Sequence, residues 1–233
     1  MNFIDGILLE SDRLAEFPVE TQDRIFAKVS AQIQYLRSLP SEGYYGRVHR
    51  QGWVDPPPGL RTDTGLVRNV VGPYNTYEEY TSAIHSAFEI NMAVGSGPYK
   101  KEWWPSYTAN SVELLSIFPG WLPHEPKFTW PDPKLTNIIV RPIKDESGNE
   151  DWEVFLIDWE GAGWHPAWVQ ALQFQKRCGA MIRDRSQAPS ASGHHPLLPY
   201  RSGEILAQML KGFDPNPDWE RLGKIRKHDW WFY

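Results

Sequence analysis

Apolar positions recur every three or four residues over 21–39, TQDRIFAKVSAQIQYLRSL, where Ile25, Val29, Ile33 and Leu36 share one face. The spacing predicts a helix, and Pro40 ends it because a helix interior cannot accept proline. The same period returns over 76–93, with Tyr77, Tyr80, Ile84 and Phe88 on one stripe, and a shorter helix is expected at SVELLSIF, 111–118. Between the first two, 41–75 has no period and many Gly and Pro, so it reads as a long surface loop suited to form a pocket wall.

The pattern then changes to strand-like runs. NIIVRPI (137–143) and WEVFLID (152–158) flank a polar turn, KDESGNED, and predict a β-hairpin. With the turn centred between Ser147 and Gly148, Ile138 faces Ile157, Val140 faces Phe155 and Asn137 faces Asp158. Opposed residues in an antiparallel pair lie roughly 4.5–5.5 Å apart at Cα. Two oxygen-bearing side chains then meet at the open end of the hairpin, with Asp132 in the loop before it. Such a group suits a hard cation such as Mg²⁺. A slip of one residue would part them, and Asp or Asn beside a strand end also serves as a turn or cap residue. Beyond the hairpin, glycines make a loop and Pro166 suits the first turn of a helix over 167–184. A polar loop (186–203), a short apolar helix (204–213) and a Trp-rich tail complete an α+β chain, mainly α around one small hairpin.

Composition narrows the classes. The 233 residues are 41% hydrophobic and suit one domain, 1–233. A net charge of −5 favours neither nucleic acid nor an anionic membrane surface. No apolar run is long enough to cross a membrane, and Asp5 and Glu10 spoil the N-terminus as a signal peptide. Cys178 is the single cysteine, so no internal disulfide forms and a reducing, cytoplasmic setting is expected. It reads as a small apolar helix residue. Twelve tryptophans are unusual, and core packing accounts for most of them. His194 and His195 lack zinc-ligand companions, GSGPYKK (95–101) lacks the setting of a phosphate loop, and no serine sits in a nucleophile elbow.

Three stretches carry a family resemblance. FTWPDPKLTNIIV, FLIDWEGAGWHPAW, and FIDGILLE with the helix ending LRSLP resemble the C-terminal lobe of the aminoglycoside phosphotransferase and choline kinase-like family, in its fungal branch. The resemblance implies a protein-kinase-like C-terminal lobe, with 1–40 as hinge and first helix and 126–165 as catalytic loop and metal hairpin. It implies Asp132 as the base for an acceptor hydroxyl, and Asn137 and Asp158 as Mg²⁺ ligands. Trp130, Glu160 and His165 are candidates to support the site or touch substrate.

Two departures stand out. Trp130 occupies the position of the family's histidine, and the family's glycine-rich cover and phosphate-gripping lysine have no counterpart. Ordinary holding of ATP is therefore not expected. Three readings follow: a small-molecule phosphotransferase with altered ATP dependence, a repurposed cyclase, lyase or isomerase acting on a lipophilic phosphate or diphosphate, and a non-catalytic binding module. A homodimer, or a partner covering the surface of the missing lobe, fits any of them.

Overall fold

The computed structural model describes residues 4–54, 56–57, 60, 71–95, 116–174, 209–210, 213 and 218–226. Helices and small antiparallel sheets are mixed, and the chain divides into two compact units. The first comprises Met1–Arg37, Asp132–Trp159 and Ala171–Asp214; the second comprises Ser38–Pro131, Glu160–Gln170 and Pro215–Tyr233. Among the described residues no helix is long and apolar enough to cross a membrane.

In the first unit, strand β1 (Ile7–Leu8) pairs with β3 (Ile138–Lys144), which pairs with β4 (Glu150–Leu156). Helix α1 (Ser11–Glu16) leads into α2 (Val19–Ser38). The apolar face expected of α2 is buried at Ile25, Phe26, Val29 and Ile33. Gln22, also buried, ties the two helices by donating to the carbonyls of Leu14 (3.1 Å) and Phe17 (2.9 Å). At the far end of α2, buried Arg37 lays its guanidinium over the Phe213 ring, 4.4 Å away.

A second row on α2 serves the sheet. Arg24 and Gln32 donate to the carbonyls of Glu150 (2.8 Å) and Val154 (2.7 Å), while Lys28 pairs with Asp151 at 2.5 Å. Four-residue spacing puts these three side chains on one helix face. Arg24 and Gln32 satisfy carbonyls along β4, which would otherwise be an open sheet edge, and Lys28 adds an ion pair to a β4 side chain.

The hairpin register differs from expectation by one residue. Ile138 pairs with Leu156, Val140 with Val154 and Lys144 with Glu150. The loop has an odd number of residues: Asp145 pairs with Asn149 through a 2.9 Å bond, leaving Glu146, Ser147 and Gly148 between them. Gly148 takes φ +81°, the left-handed residue that a three-residue hairpin loop requires. Asp145 fixes the loop by accepting from the amides of Ser147 (2.9 Å) and Asn149 (2.8 Å). The centre therefore falls on Ser147, not between Ser147 and Gly148.

In the second unit, α3 (Tyr77–Gly95) buries Tyr77, Tyr80, Ile84 and Phe88, the expected stripe. Thr76 caps it by accepting from the amide of Glu79 at 3.1 Å. A two-stranded sheet joins β2 (Pro126–Thr129) to β5 (Gly163–Pro166), so sheet extends beyond the one hairpin expected. Pro166 accordingly closes a strand instead of opening a helix, and helical residues start only at 169. Residues 41–75 are also not featureless, since Tyr45 pairs with Tyr74 and Trp53 with Val71. Gly46 pairs with Trp164 so closely that a Cβ on Gly163 would sit 2.4 Å from the Gly46 carbonyl oxygen.

Aromatic rings fill this unit: Trp121 stacks on Trp168 at 4.4 Å, and Trp53 on His165 at 4.7 Å. A helix over Trp219–Arg226 is capped by Asp218 and was not anticipated. Only residues 116–118 of the expected 111–118 helix and 209–210 and 213 of the 204–213 helix are among those described. The 186–203 loop, Cys178, His194, His195 and residues 227–233 of the Trp-rich tail lie outside them.

Candidate functional site

The acidic cluster forms where the β3–β4 ladder ends. Before β3, Pro131 and Pro133 limit the backbone on both sides of Asp132. The Asp132 carbonyl then accepts from the amide of Lys134 (2.8 Å) and from Asn137 Nδ2 (2.9 Å). A 3-10 turn, Leu135–Asn137, anchored by buried Leu135, delivers Asn137 to the start of the strand. After β4, the ladder continues one step, with the Ile157 amide donating to the Asn137 carbonyl at 3.0 Å.

The next residue, Asp158, departs from the strand with φ +59°. A left-handed conformation is uncommon for a residue with a side chain, although Asp tolerates it better than most. Trp159 folds back and donates from Nε1 to the Leu156 carbonyl at 2.9 Å, which holds this turn.

The result unites the three residues expected to form the site. Asn137 Nδ2 lies 3.3 Å from Asp132 Oδ2 and 3.4 Å from Asp158 Oδ2. The route differs from the expected one. Ile157, not Asp158, stands opposite Asn137 along the ladder, and the left-handed turn at 158 brings the carboxylate back.

Lys134 adds a charge that the spacing argument did not include. Its Nζ lies 2.5 Å from Asp132 Oδ2, within an ion pair that is partly exposed. The cluster thus separates into two parts. Asp132 is held by Lys134, whereas the Asp158 carboxylate is exposed. The Asn137 amide is oriented by its Nδ2 bonds, and its Oδ1 accepts no hydrogen bond from the described residues. Asp158 and Asn137 Oδ1 are oxygen donors of the kind a hard divalent cation prefers, so the residues fit Mg²⁺. Among the described residues no group of three His, Cys, Asp or Glu gathers as a metal site, and the set rests on two carboxylates and an amide.

The three supporting candidates belong to the second unit. Trp130 is fully buried, and its backbone is clamped by Gln170, which accepts from the Trp130 amide and donates to its carbonyl, both at 2.8 Å. Glu160 is exposed. His165 is fully buried on strand β5, not at a helix start. Its Nε2 faces the Gly161 carbonyl at 3.1 Å and its Nδ1 faces the Tyr80 hydroxyl at 3.3 Å. Burial pushes its pKa down to about 4, so the ring is neutral at neutral pH. Trp53 Nε1 donates to the same Gly161 carbonyl at 3.0 Å. Neither Gln170 nor Trp53 carries a motif that announces these roles.

One face of the first unit's sheet carries apolar side chains. Leu8 opposes Ile139, and Ile139 opposes Phe155, so these three side chains share a face. Leu8 is exposed, and Ile139 and Phe155 are half-buried. Ile139 lies two residues from Asn137, which places an apolar surface beside the polar cluster. No family model, curated protein or solved structure matches this chain.

Proposed function

We propose that this chain is a kinase-like C-terminal lobe related to the aminoglycoside phosphotransferases and choline kinases. It binds Mg²⁺ through Asn137 and Asp158 and acts on a small-molecule metabolite bearing a phosphate, with altered rather than ordinary ATP-dependent chemistry. The observation that carries this reading is the single amide, Asn137 Nδ2, within hydrogen-bonding reach of both Asp132 and Asp158. Mg²⁺ would neutralise phosphate charge at Asn137 and Asp158. Asp132 is the candidate to accept a hydroxyl proton, with Lys134 and the Asn137 amide fixing its position. Trp130 stands where the family has a histidine and is fully buried, which separates this loop from the ordinary form.

The half-exposed face of Leu8, Ile139 and Phe155 favours a second form of the same reading. An apolar surface next to oxygen ligands suits a lipophilic phosphate or diphosphate, as a repurposed cyclase, lyase or isomerase would require.

Calorimetric titration with Mg²⁺, of ATP and separately of an isoprenoid diphosphate, tests both. Heat from ATP that disappears in Asp158→Ala supports a phosphotransferase, and heat from the diphosphate alone supports the repurposed enzyme. Silence from both ligands and from Mg²⁺ would leave a non-catalytic binding module.

A further inference from the structure

A second feature, in the other compact unit, points to anion binding and does not rest on the reading of the acidic cluster. Residues 46–51, GRVHRQ, form a tight exposed turn closed by the Arg47 amide donating to the Gln51 carbonyl at 2.7 Å. Its two consecutive residues His49 (φ 60°) and Arg50 (φ 54°) are both left-handed. Glycine and asparagine are the residues that such positions ordinarily select. Here two large cationic or titratable side chains occupy them.

The surroundings hold this conformation. The buried Tyr44 hydroxyl accepts from the Arg50 amide (3.0 Å) and donates to the Arg47 carbonyl (2.8 Å), bracketing the turn. The Arg50 guanidinium lies over the Tyr44 ring at 5.1 Å and donates to Asn75 Oδ1. Asn75 is held in turn by its amide donating to Glu79 at 2.7 Å. Arg50 is therefore positioned by neutral partners, and no described carboxylate cancels its charge. Among the described residues no carboxylate pairs with Arg47, His49 or Arg50, in a chain whose net charge is −5. Left-handed backbone retained at non-glycine positions is a mark of functional sites.

We infer that the Arg47–His49–Arg50 turn is a binding site for the phosphate or diphosphate group of a small-molecule ester. Guanidinium groups present paired N–H donors that match phosphate oxygens. The rigid turn keeps the ordering cost of binding small.

The test is titration of the full chain with inorganic pyrophosphate in EDTA at low salt, so that no metal bridges the anion to the acidic cluster. The wild type is expected to bind. The exposed double variant Arg47→Gln/Arg50→Gln should weaken binding by about tenfold or more, with an unchanged circular dichroism spectrum. Tyr44→Phe keeps both guanidinium groups but frees the turn, and should weaken binding less. Asp158→Ala should bind as the wild type does. Absence of binding in the wild type overturns the inference, as does equal binding by the double variant. Loss of binding in Asp158→Ala under EDTA overturns it as well, and leaves the Mg²⁺ reading to its own test.

Discussion

Asp158 holds two requirements in one residue. Under the proposed function its carboxylate serves Mg²⁺, while its φ of +59° is a conformation in which a Cβ is unfavourable. Asp158→Gly should raise stability by about 1 kcal/mol in urea unfolding while abolishing any Mg²⁺ heat. Simultaneous loss of stability would show that the carboxylate supports the fold. His165 illustrates the opposite case, a titratable group kept from titrating. Its pKa in the fold is about 4 against an ordinary 6.5, so between those values the unfolded chain binds a proton that the folded chain refuses. Its contribution is intact above about pH 6.5 and is lost as the pH falls towards 4, by up to about 3 kcal/mol. Urea midpoints at pH 7.5 and 4.5 should therefore differ less for His165→Gln than for the wild type, although the variant is less stable at both.

At the scale of elements, α2 supports β4 by a device that sequence periodicity does not reveal. Arg24, Lys28 and Gln32 look like an ordinary solvated face, yet each reaches β4. Replacing all three with alanine should leave the helix intact and uncover a strand edge, seen as concentration-dependent light scattering. The hairpin loop has its own determinant. Gly148→Ala should cost about 1 kcal/mol, because alanine at φ +81° is strained. The same loop explains why register was misread. Period-two alternation located β3 and β4, but only the parity of the loop decides which residues face each other, and parity depends on Gly148 being left-handed. Strands β1, β2 and β5 span two to four residues, too few for alternation to register. Helices α2 and α3 were legible because each has one buried and one solvated face over about five turns.

On the scale of the molecule, the clustering of Asp132, Asn137 and Asp158 was readable from their spacing about a hairpin, while its means was not. The expected register was wrong by one residue, and the compensating turn at Asp158 leaves no pattern in the sequence. Of the tryptophans described with their side chains, Trp53, Trp121, Trp130, Trp164 and Trp168 are buried, so the bland expectation of core packing holds for them. Trp159 is the exposed one, and its position after Asp158 ties it to the cluster. Binding at that cluster should register globally: saturating Mg²⁺ should raise the melting temperature of the wild type and not that of Asp158→Ala.

The contact of Gly46 with Gly163 sets a limit on variation in the second unit. Two backbones touch there with no room for a methyl group, and the cationic turn at 47–50 grows directly from one of them. A substitution at 163 would press on the Gly46 carbonyl and on the Cα of Arg47, 3.1 Å away, prying the seam and loosening the turn from its first residue. A Cβ at Gly46 would instead meet Pro73 at 2.8 Å and the Gln51 carbonyl at 3.0 Å. An enlarged side chain at 163 therefore strains the turn where it begins, at Arg47, and one at 46 strains it where it closes, at Gln51.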